Sequence, residues 1–418
     1  MKRAVLLIAF HFPPYSGSSS VHRTVNFSRY LPEAGWRPLV LTVRPGAYPR
    51  SARDVAWTPL RDLLVRRAPV LDAARHLSLG GRYLRWTALP DRWASWCVSG
   101  IPSALRLIQE YEPRVIWSTF PVASAHVLGL VVSRLSGLPW IADFRDSMTE
   151  DEYPPDPVTR RVHRMIERAT VRRCRAAVFT TPGARRMYAE RYPDLPSDRW
   201  AVIENGFDEL SMRRAEREFT PREAGGPVVL VHSGRLYRSE RDPTALFEAL
   251  GRLHGEGHVS SEHLRLVFLA SGDEDYYRDL ARRTGAEPLV EFAPPVPYVE
   301  SLREVLRADG LLVMQASNCS HQVPAKVYEY IRAGRPVLAL TNPEGDTATV
   351  LRGAGIETIV PLDSAARIAE ALPAFLEAVR RGSAPVVERT LVDRYSRSHR
   401  TKELAALLDR CDSGRAAQ

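Results

Sequence analysis

The sequence predicts an α/β protein built from two doubly wound, parallel-sheet halves that face each other across a cleft. Three observations carry this. Short apolar runs of strand length alternate with helical stretches along most of the chain. The series occurs twice, and each half opens with a strand followed by a glycine-bearing loop. A polar, charge-dense stretch at 205–227 separates the two halves.

Residues 5–10 form a continuous apolar run, as expected of a strand buried on both faces of a parallel sheet. A loop rich in Pro, Gly and Ser follows at 11–20, then a helical stretch at 21–31. Gly35 ends that stretch, and 38–43 reads as the second strand. The pattern is less regular at 45–110. It resumes with strands at 115–119, 139–143, 176–180 and 200–204, separated by helices at 122–135, 157–174 and 183–192.

The second series has strands at 228–232, 264–270, 289–292, 310–314, 336–340 and 357–360. Its helices fall at 242–254, 274–284, 298–307, 323–333 and 365–380, and a final helical segment runs over about 388–411. The expected domains are therefore 1–207, with an irregular excursion at 50–100, and 208–385. Residues 386–418 form a terminal helix expected to pack back on the first domain. Open α/β sheets bind ligands at the carboxyl ends of their strands, so the loops after the strands are where to look for chemistry.

Composition narrows the function classes. The 418 residues are 44% hydrophobic and 26% charged, which is ordinary for a globular chain. The apolar runs fall short of the ~18–20 residues that span a bilayer. The four cysteines, Cys97, Cys174, Cys319 and Cys411, are far apart and make no C-x-x-C pair, which argues against a zinc site and suits a reducing, cytoplasmic compartment. The net charge is +9, and the 50–100 excursion holds nine arginines against four aspartates. No groove-reading motif accompanies that charge, so nucleic acid is not the expected partner. Trp57, Trp86, Trp93 and Trp96 are interleaved with the arginines of 57–96, a composition suited to an anionic membrane face. A helical excursion packed on the domain is the alternative.

Four segments carry candidate chemistry. The loop containing Gly17 and Ser18 lets backbone approach a ligand at a helix start. In the second half, Gly234 is followed by Arg235, Arg238 and Arg241, three guanidiniums suited to a diphosphate. Lys326 and Glu329 are spaced for one helix face, where they either pair only with each other or both point into the cleft, the ammonium toward phosphate and the carboxylate toward ribose hydroxyls. Lys326 is one of three lysines in the chain, with Lys2 and Lys402. After a first-half strand, Asp143-Phe144-Arg145-Asp146 sets two carboxylates around an arginine, suited to binding and positioning hydroxyls. Neither half has the G-x-G-x-x-G fingerprint of nicotinamide dehydrogenases.

Across nearly its whole length the chain resembles glycosyltransferase family 4, retaining nucleotide-sugar enzymes of the GT-B fold. The resemblance rests on Phe12-Pro13-Pro14 with Gly17 and Arg23, on Gly35-Trp36-Arg37-Pro38-Leu39-Val40-Leu41-Thr42, and on Glu204-Asn205-Gly206-Phe207-Asp208. It rests also on Gly234-Arg235-Leu236, and on Glu329 followed by Gly334 and Pro336-Val337. The chain departs from the family pattern at four places. His321 replaces an acidic residue eight before Glu329, Glu240 takes the place of a phosphate-loop lysine, Arg145-Asp146 replaces His-Asp, and Gly17-Ser18 replaces a glycine pair.

The resemblance implies transfer of a sugar from a nucleotide diphosphate sugar to a glycan or lipid-linked acceptor hydroxyl, without metal or cofactor, in cell-surface polysaccharide or glycoconjugate synthesis. It implies donor contacts at Gly17, Ser18, Gly234, Arg235, Arg241, His321, Lys326 and Glu329, and a reacting centre at Asp143, Arg145 and Asp146. The acceptor is expected on the first half, and the protein at the inner face of the plasma membrane. A GT-B-shaped nucleotide-sugar 2-epimerase and a non-catalytic nucleotide-sugar-binding protein are the alternatives.

Overall fold

The computed structural model describes residues 3–15, 20–48, 63–151, 153–222 and 225–416. The chain divides into two compact units, 1–205 with 397–418, and 206–396. The expected site residues Gly17 and Ser18 lie outside the described residues, as does Trp57.

The first unit holds β1 (Arg3–Ile8), α1 (Ser20–Tyr30), β2 (Trp36–Val43), β3 (Leu64–Ala68), α2 (Ala73–His76), α3 (Trp96–Tyr111), β4 (Val115–Thr119) and α4 (Ala123–Ser136). It continues with β5 (Trp140–Phe144), α5 (Pro157–Arg173), β6 (Ala176–Phe179), α6 (Pro182–Arg191) and β7 (Trp200–Val202). The seven strands are parallel in the order β3-β2-β1-β4-β5-β6-β7. The winding direction reverses between β1 and β4, the place where such sheets open a crevice.

The apolar run of β1 is explained by two cores. Leu6 and Ile8 feed the cluster on one face, and Val5 and Leu7 feed the cluster on the other. Period-two geometry sends successive side chains to opposite faces, so a strand covered on both sides needs apolar residues throughout. Helix caps mark the connections. Asp156 accepts the Thr159 amide ahead of Pro157, and Thr181 accepts the Ala184 amide ahead of Pro182.

The second unit holds α7 (Glu209–Arg217), β8 (Val228–Ser233), α8 (Thr244–Gly255), β9 (Leu264–Leu269), α9 (Glu274–Thr284), β10 (Val290–Ala293), α10 (Tyr298–Arg307) and β11 (Gly310–Met314). It continues with α11 (Lys326–Ala333), β12 (Val337–Leu340), α12 (Asp346–Gly353), β13 (Ile359–Val360), α13 (Ala365–Arg380) and α14 (Arg389–Val392). Its six parallel strands run β10-β9-β8-β11-β12-β13, with the reversal between β8 and β11. Helix α15 (Arg397–Ala416) returns to the first unit, where Leu404, Leu407 and Leu408 pack with Val21 and Val25.

Five elements are absent from the sequence reading: β3, α2, α3, α7 and α12. Strand β3 and helix α3 occupy part of the irregular 45–110 stretch. Helix α7 lies in the polar stretch read as a connection, with Met212 and Ala215 buried and Glu209 and Glu216 paired to Arg332. Of the tryptophans expected at a membrane face, one is in the core and a second, partly buried, packs against it. Trp96 is fully buried, and Trp93 packs at 4.5 Å on Phe10.

Candidate active site

In the second unit the site residues gather where β8 ends and α11 begins. Gly234 follows β8 with a φ of +117°, which side-chain-bearing residues rarely adopt. A Cβ there would lie 2.8 Å from Lys326 Nζ, so the missing side chain leaves room for the lysine amine. The loop is tied to the end of β9 by the Gly234 amide on the Leu269 carbonyl and the Leu236 amide on the Ser271 carbonyl, 2.8 and 2.9 Å. Arg241 braces it from within, its Nη1 donating to the Arg235 carbonyl at 3.1 Å. Arg235 lies farther out, exposed, with its guanidinium over Gly272.

Helix α11 is placed by buried polar groups. Gln315 donates to the carbonyls of Cys319 and Gln322 at 3.0 Å each, and shapes the turn that leads into the helix. His321 sits in that turn, half-buried. The Tyr330 hydroxyl accepts the Ser233 amide at 2.9 Å, fastening the helix to the end of β8. One turn after Lys326, Glu329 accepts from the Tyr298 hydroxyl at 2.7 Å.

Lys326 Nζ lies 3.2 Å from His232 Nε2. His232 is fully buried in β8, and its Nδ1 is 2.9 Å from the Leu312 carbonyl. A carbonyl only accepts, so Nδ1 carries the proton and Nε2 presents a lone pair. Burial, then the nearby lysine, hold the imidazole well below its ordinary titration range, so it is neutral. The Lys326 ammonium is pushed down to about 7, first by burial and then by Arg241, with Glu329 opposing. The cluster is thus rich in positive charge and has donors at one spot, an arrangement suited to a diphosphate. Gly234→Ala is expected to cost about 1–3 kcal/mol through its positive φ and to displace Lys326. Thermal unfolding and donor titration of the variant check this, and unchanged donor affinity would contradict it.

The first unit offers a different environment at the ends of β1, β4 and β5. Asp143, expected at the reacting centre, is wholly buried and occupied. Its carboxylate takes both Arg23 Nε and Nη2, at 2.8 and 2.9 Å, and the Thr119 hydroxyl at 3.2 Å. Arg23 also donates to the carbonyls of Ile203 and Glu204. This is a positioning clamp, and it presents no carboxylate to a substrate. Asp146 is exposed, beside Arg145. Arg145 donates from Nη1 to the Ser20 carbonyl at 3.2 Å. Burial, reinforced by Arg23 and opposed by Asp146 and Asp143, lowers the pKa of its guanidinium.

His11 was not among the expected residues. It lines a small pocket with Arg145, Ser20, Thr119 and Phe120. Its Nδ1 is 2.8 Å from the Ser20 hydroxyl, and its ring stacks on Tyr15 at 4.4 Å. Burial and then Arg145 push its pKa to about 3, so it is neutral. Its sequence signal was a histidine directly after the first strand, at the carboxyl edge where ligands bind.

Residues 20–206 match the model of a glycosyl transferase 4-like domain, and 227–378 match that of glycosyl transferases group 1. No curated protein matches the chain in sequence. Among solved structures, the sucrose-phosphate synthase of Thermosynechococcus elongatus is similar, with a TM-score of 0.66 at 15% identity over 99% of this chain and 100% of that one. Anabaena HepE, in complex with UDP and glucose, is similar with a TM-score of 0.62 at 14% identity, over 97% of this chain and 99% of that one. The α,α-trehalose 6-phosphate synthase of Burkholderia multivorans gives a TM-score of 0.64 at 13% identity, over 100% of this chain and 98% of that one. At such identities these three bear on the fold.

Proposed function

We propose, for a chain that is a glycosyltransferase of the GT-B type with a family-4-like N-terminal half, that it moves a sugar with retention from a nucleotide diphosphate sugar to an acceptor hydroxyl in cell-surface glycan synthesis. The observation that carries the donor assignment is the Gly234–Lys326 approach beside Arg241, at the strand-order reversal of the second sheet. Leaving-group charge grows as the glycosidic bond to phosphate breaks. Lys326 and Arg241 would meet that charge with preorganised donors, and Arg235 would reach the outer phosphate. The solved HepE complex with UDP-glucose accords with a donor of this class.

Retention needs no strong protein base in this reading. As the bond breaks, the leaving phosphate oxygen takes the proton of the acceptor hydroxyl, which then adds on the same face. Glu329, held by Tyr298, is assigned to the hydroxyls of the donor ribose. In the first unit Arg145, His11 and Asp146 are assigned to the acceptor. A thermal-shift screen of nucleoside diphosphates and their sugars tests the donor half, since a ligand at 100 times its Kd stabilises by about 2.7 kcal/mol. A screen without any stabilising nucleotide would overturn it. The anomeric configuration of the product, read by NMR, tests retention.

The acceptor is assigned to a lipid-linked glycan at an anionic membrane surface. Support comes from the excursion, where Leu79, Leu84 and Trp86 are 90%, 63% and 70% exposed beside Arg82. A two-residue Gly80-Gly81 turn, bridged by Leu79 and Arg82, carries Leu79 at its base. Apolar side chains beside arginine suit the boundary of headgroup and acyl chain. No helix among the described residues is long and apolar enough to cross a membrane. Replacing Leu79, Leu84 and Trp86 together by serine is expected to weaken vesicle binding at least tenfold, from the apolar area withdrawn. Flotation with anionic and neutral vesicles measures this, and unchanged flotation would remove the membrane assignment.

A further inference from the structure

The Lys326 amine is held in an unusual way for a phosphate-binding lysine. It is partly buried, against the bare backbone of Gly234, and its near partner is a neutral imidazole 3.2 Å away. Among the described residues it makes no ion pair with a carboxylate. The charged groups that face it are Arg241 from the loop after β8, which repels its proton, and Glu329 from its own helix, which attracts it. The carboxylate of Glu329 is engaged by Tyr298. His232 is fixed as an acceptor because its other nitrogen is committed to the Leu312 carbonyl. A neutral amine and an ammonium both donate to that lone pair, so the contact holds Lys326 in place in either state.

We propose that His232 is a positioning residue that keeps the Lys326 amine seated against Gly234, and that a nucleotide diphosphate sugar entering this site brings a proton with it onto that amine. The inference rests on the donor reading above and adds to it a residue and a proton. The balance is simple. Without ligand, a part of the molecules carry Lys326 as –NH2. The two negative phosphates favour –NH3+, and one proton passes from solvent to Nζ in that part. No bond to carbon or phosphorus changes in this step.

The sign follows from the direction of the shift. A lysine pushed down to about 7 is near half-protonated at neutral pH. Bound diphosphate moves it back toward its ordinary range, so binding takes up about half a proton at pH 7. Donor affinity is then nearly flat below that pH and falls by about tenfold per pH unit above it. The phosphates of a nucleotide diphosphate sugar are fully ionised throughout, so the dependence belongs to the protein.

The chain's three lysines make this directly readable. Full-length protein with lysine labelled at 13Cε gives three signals, Lys2, Lys326 and Lys402, with Lys326→Arg for assignment. The expected result is one low-titrating amine, that of Lys326, with its midpoint at about 7. Saturation with UDP-glucose as probe should raise the low one, and calorimetry in buffers of different ionisation heat should show proton uptake. His232→Phe should shift the Lys326 titration and weaken UDP-glucose binding about tenfold, whereas His232→Gln, which can still offer an acceptor, should recover part of the affinity.

A Lys326 signal that titrates in the ordinary lysine range in the ligand-free protein overturns the inference even where UDP-glucose binds, and leaves the donor reading standing. A low-titrating amine that UDP-glucose and the nucleotides of the thermal screen all fail to move overturns the donor reading and the proton coupling together. The wild-type titration needs no variant to fold. A His232→Phe protein that folds with Lys326 titrating as before overturns the positioning role.

Discussion

Lys326→Met is expected to lower kcat/KM for sugar transfer by about 10²- to 10³-fold, with most of the loss in kcat. The side chain lies beside Gly234, where a diphosphate would leave, and its charge is matched to negative charge that grows during bond breaking. An interaction that strengthens toward the transition state shows in kcat, whereas one felt equally by bound donor shows in KM. Methionine keeps the length and apolar stem of lysine, so packing against the loop is preserved. Lys402→Met, on the exposed side of α15, serves as the unaffected control. Steady-state kinetics with the donor chosen by the thermal screen makes the measurement. A variant with wild-type kcat would place Lys326 outside the reaction. The Arg241→Ala change is expected to be non-additive with it, since both face the same charge and Arg241 itself depresses the lysine.

The two-sheet architecture was legible because the central strands are covered on both faces, which forces continuous apolar runs such as Leu6–Ile8 of β1 and Leu230 with Val231 of β8. Strand β3 was not legible, because it lies at the sheet edge and carries Arg66 and Arg67. Helix α7 was hidden for a related reason. It buries few side chains and spends its glutamates on Arg332, more than a hundred residues on, so its residues read as solvated charge.

The site divides along the same line. Gly234 and Lys326, which the structure brings together, could be singled out in the sequence because each punctuates an element, a loop after a strand and the start of a helix. His232 was invisible because a histidine within an apolar strand has the sequence signature of core. The pairing that gives it a role lies 94 residues away on another element. The Asp143-Phe144-Arg145-Asp146 segment was misread in part. Two carboxylates around an arginine look symmetric in sequence, but Asp143 belongs to a strand covered on both faces and is buried, whereas Asp146 falls in the loop beyond the strand end, exposed. No local rule names Arg23, 120 residues earlier, as the partner of the buried one.

That buried pair carries the largest stability effect expected in the molecule. Arg23→Ala should destabilise the first unit by about 3–5 kcal/mol, because it strands a fully buried carboxylate without its bidentate partner. It also releases the carbonyls of Ile203 and Glu204, which Arg23 holds at 2.9 and 3.0 Å where the chain leaves the first unit. For a domain of this size each kcal/mol is worth about 2–4 °C, so the unfolding midpoint should fall by roughly 10 °C. Asp143→Asn should fall by less than Arg23→Ala, since an amide of the same shape still accepts one of the two donors. Replacing both residues by apolar side chains should cost less than the two single changes combined, because the penalty lies in the unpaired charge rather than in the absence of the pair. Calorimetry on the four proteins tests this cycle. It also separates the clamp from catalysis: Asp143→Asn, assayed well below its lowered midpoint, should keep most of its kcat. A loss as large as that of Lys326→Met at a temperature where the variant is fully folded would return Asp143 to the reacting centre.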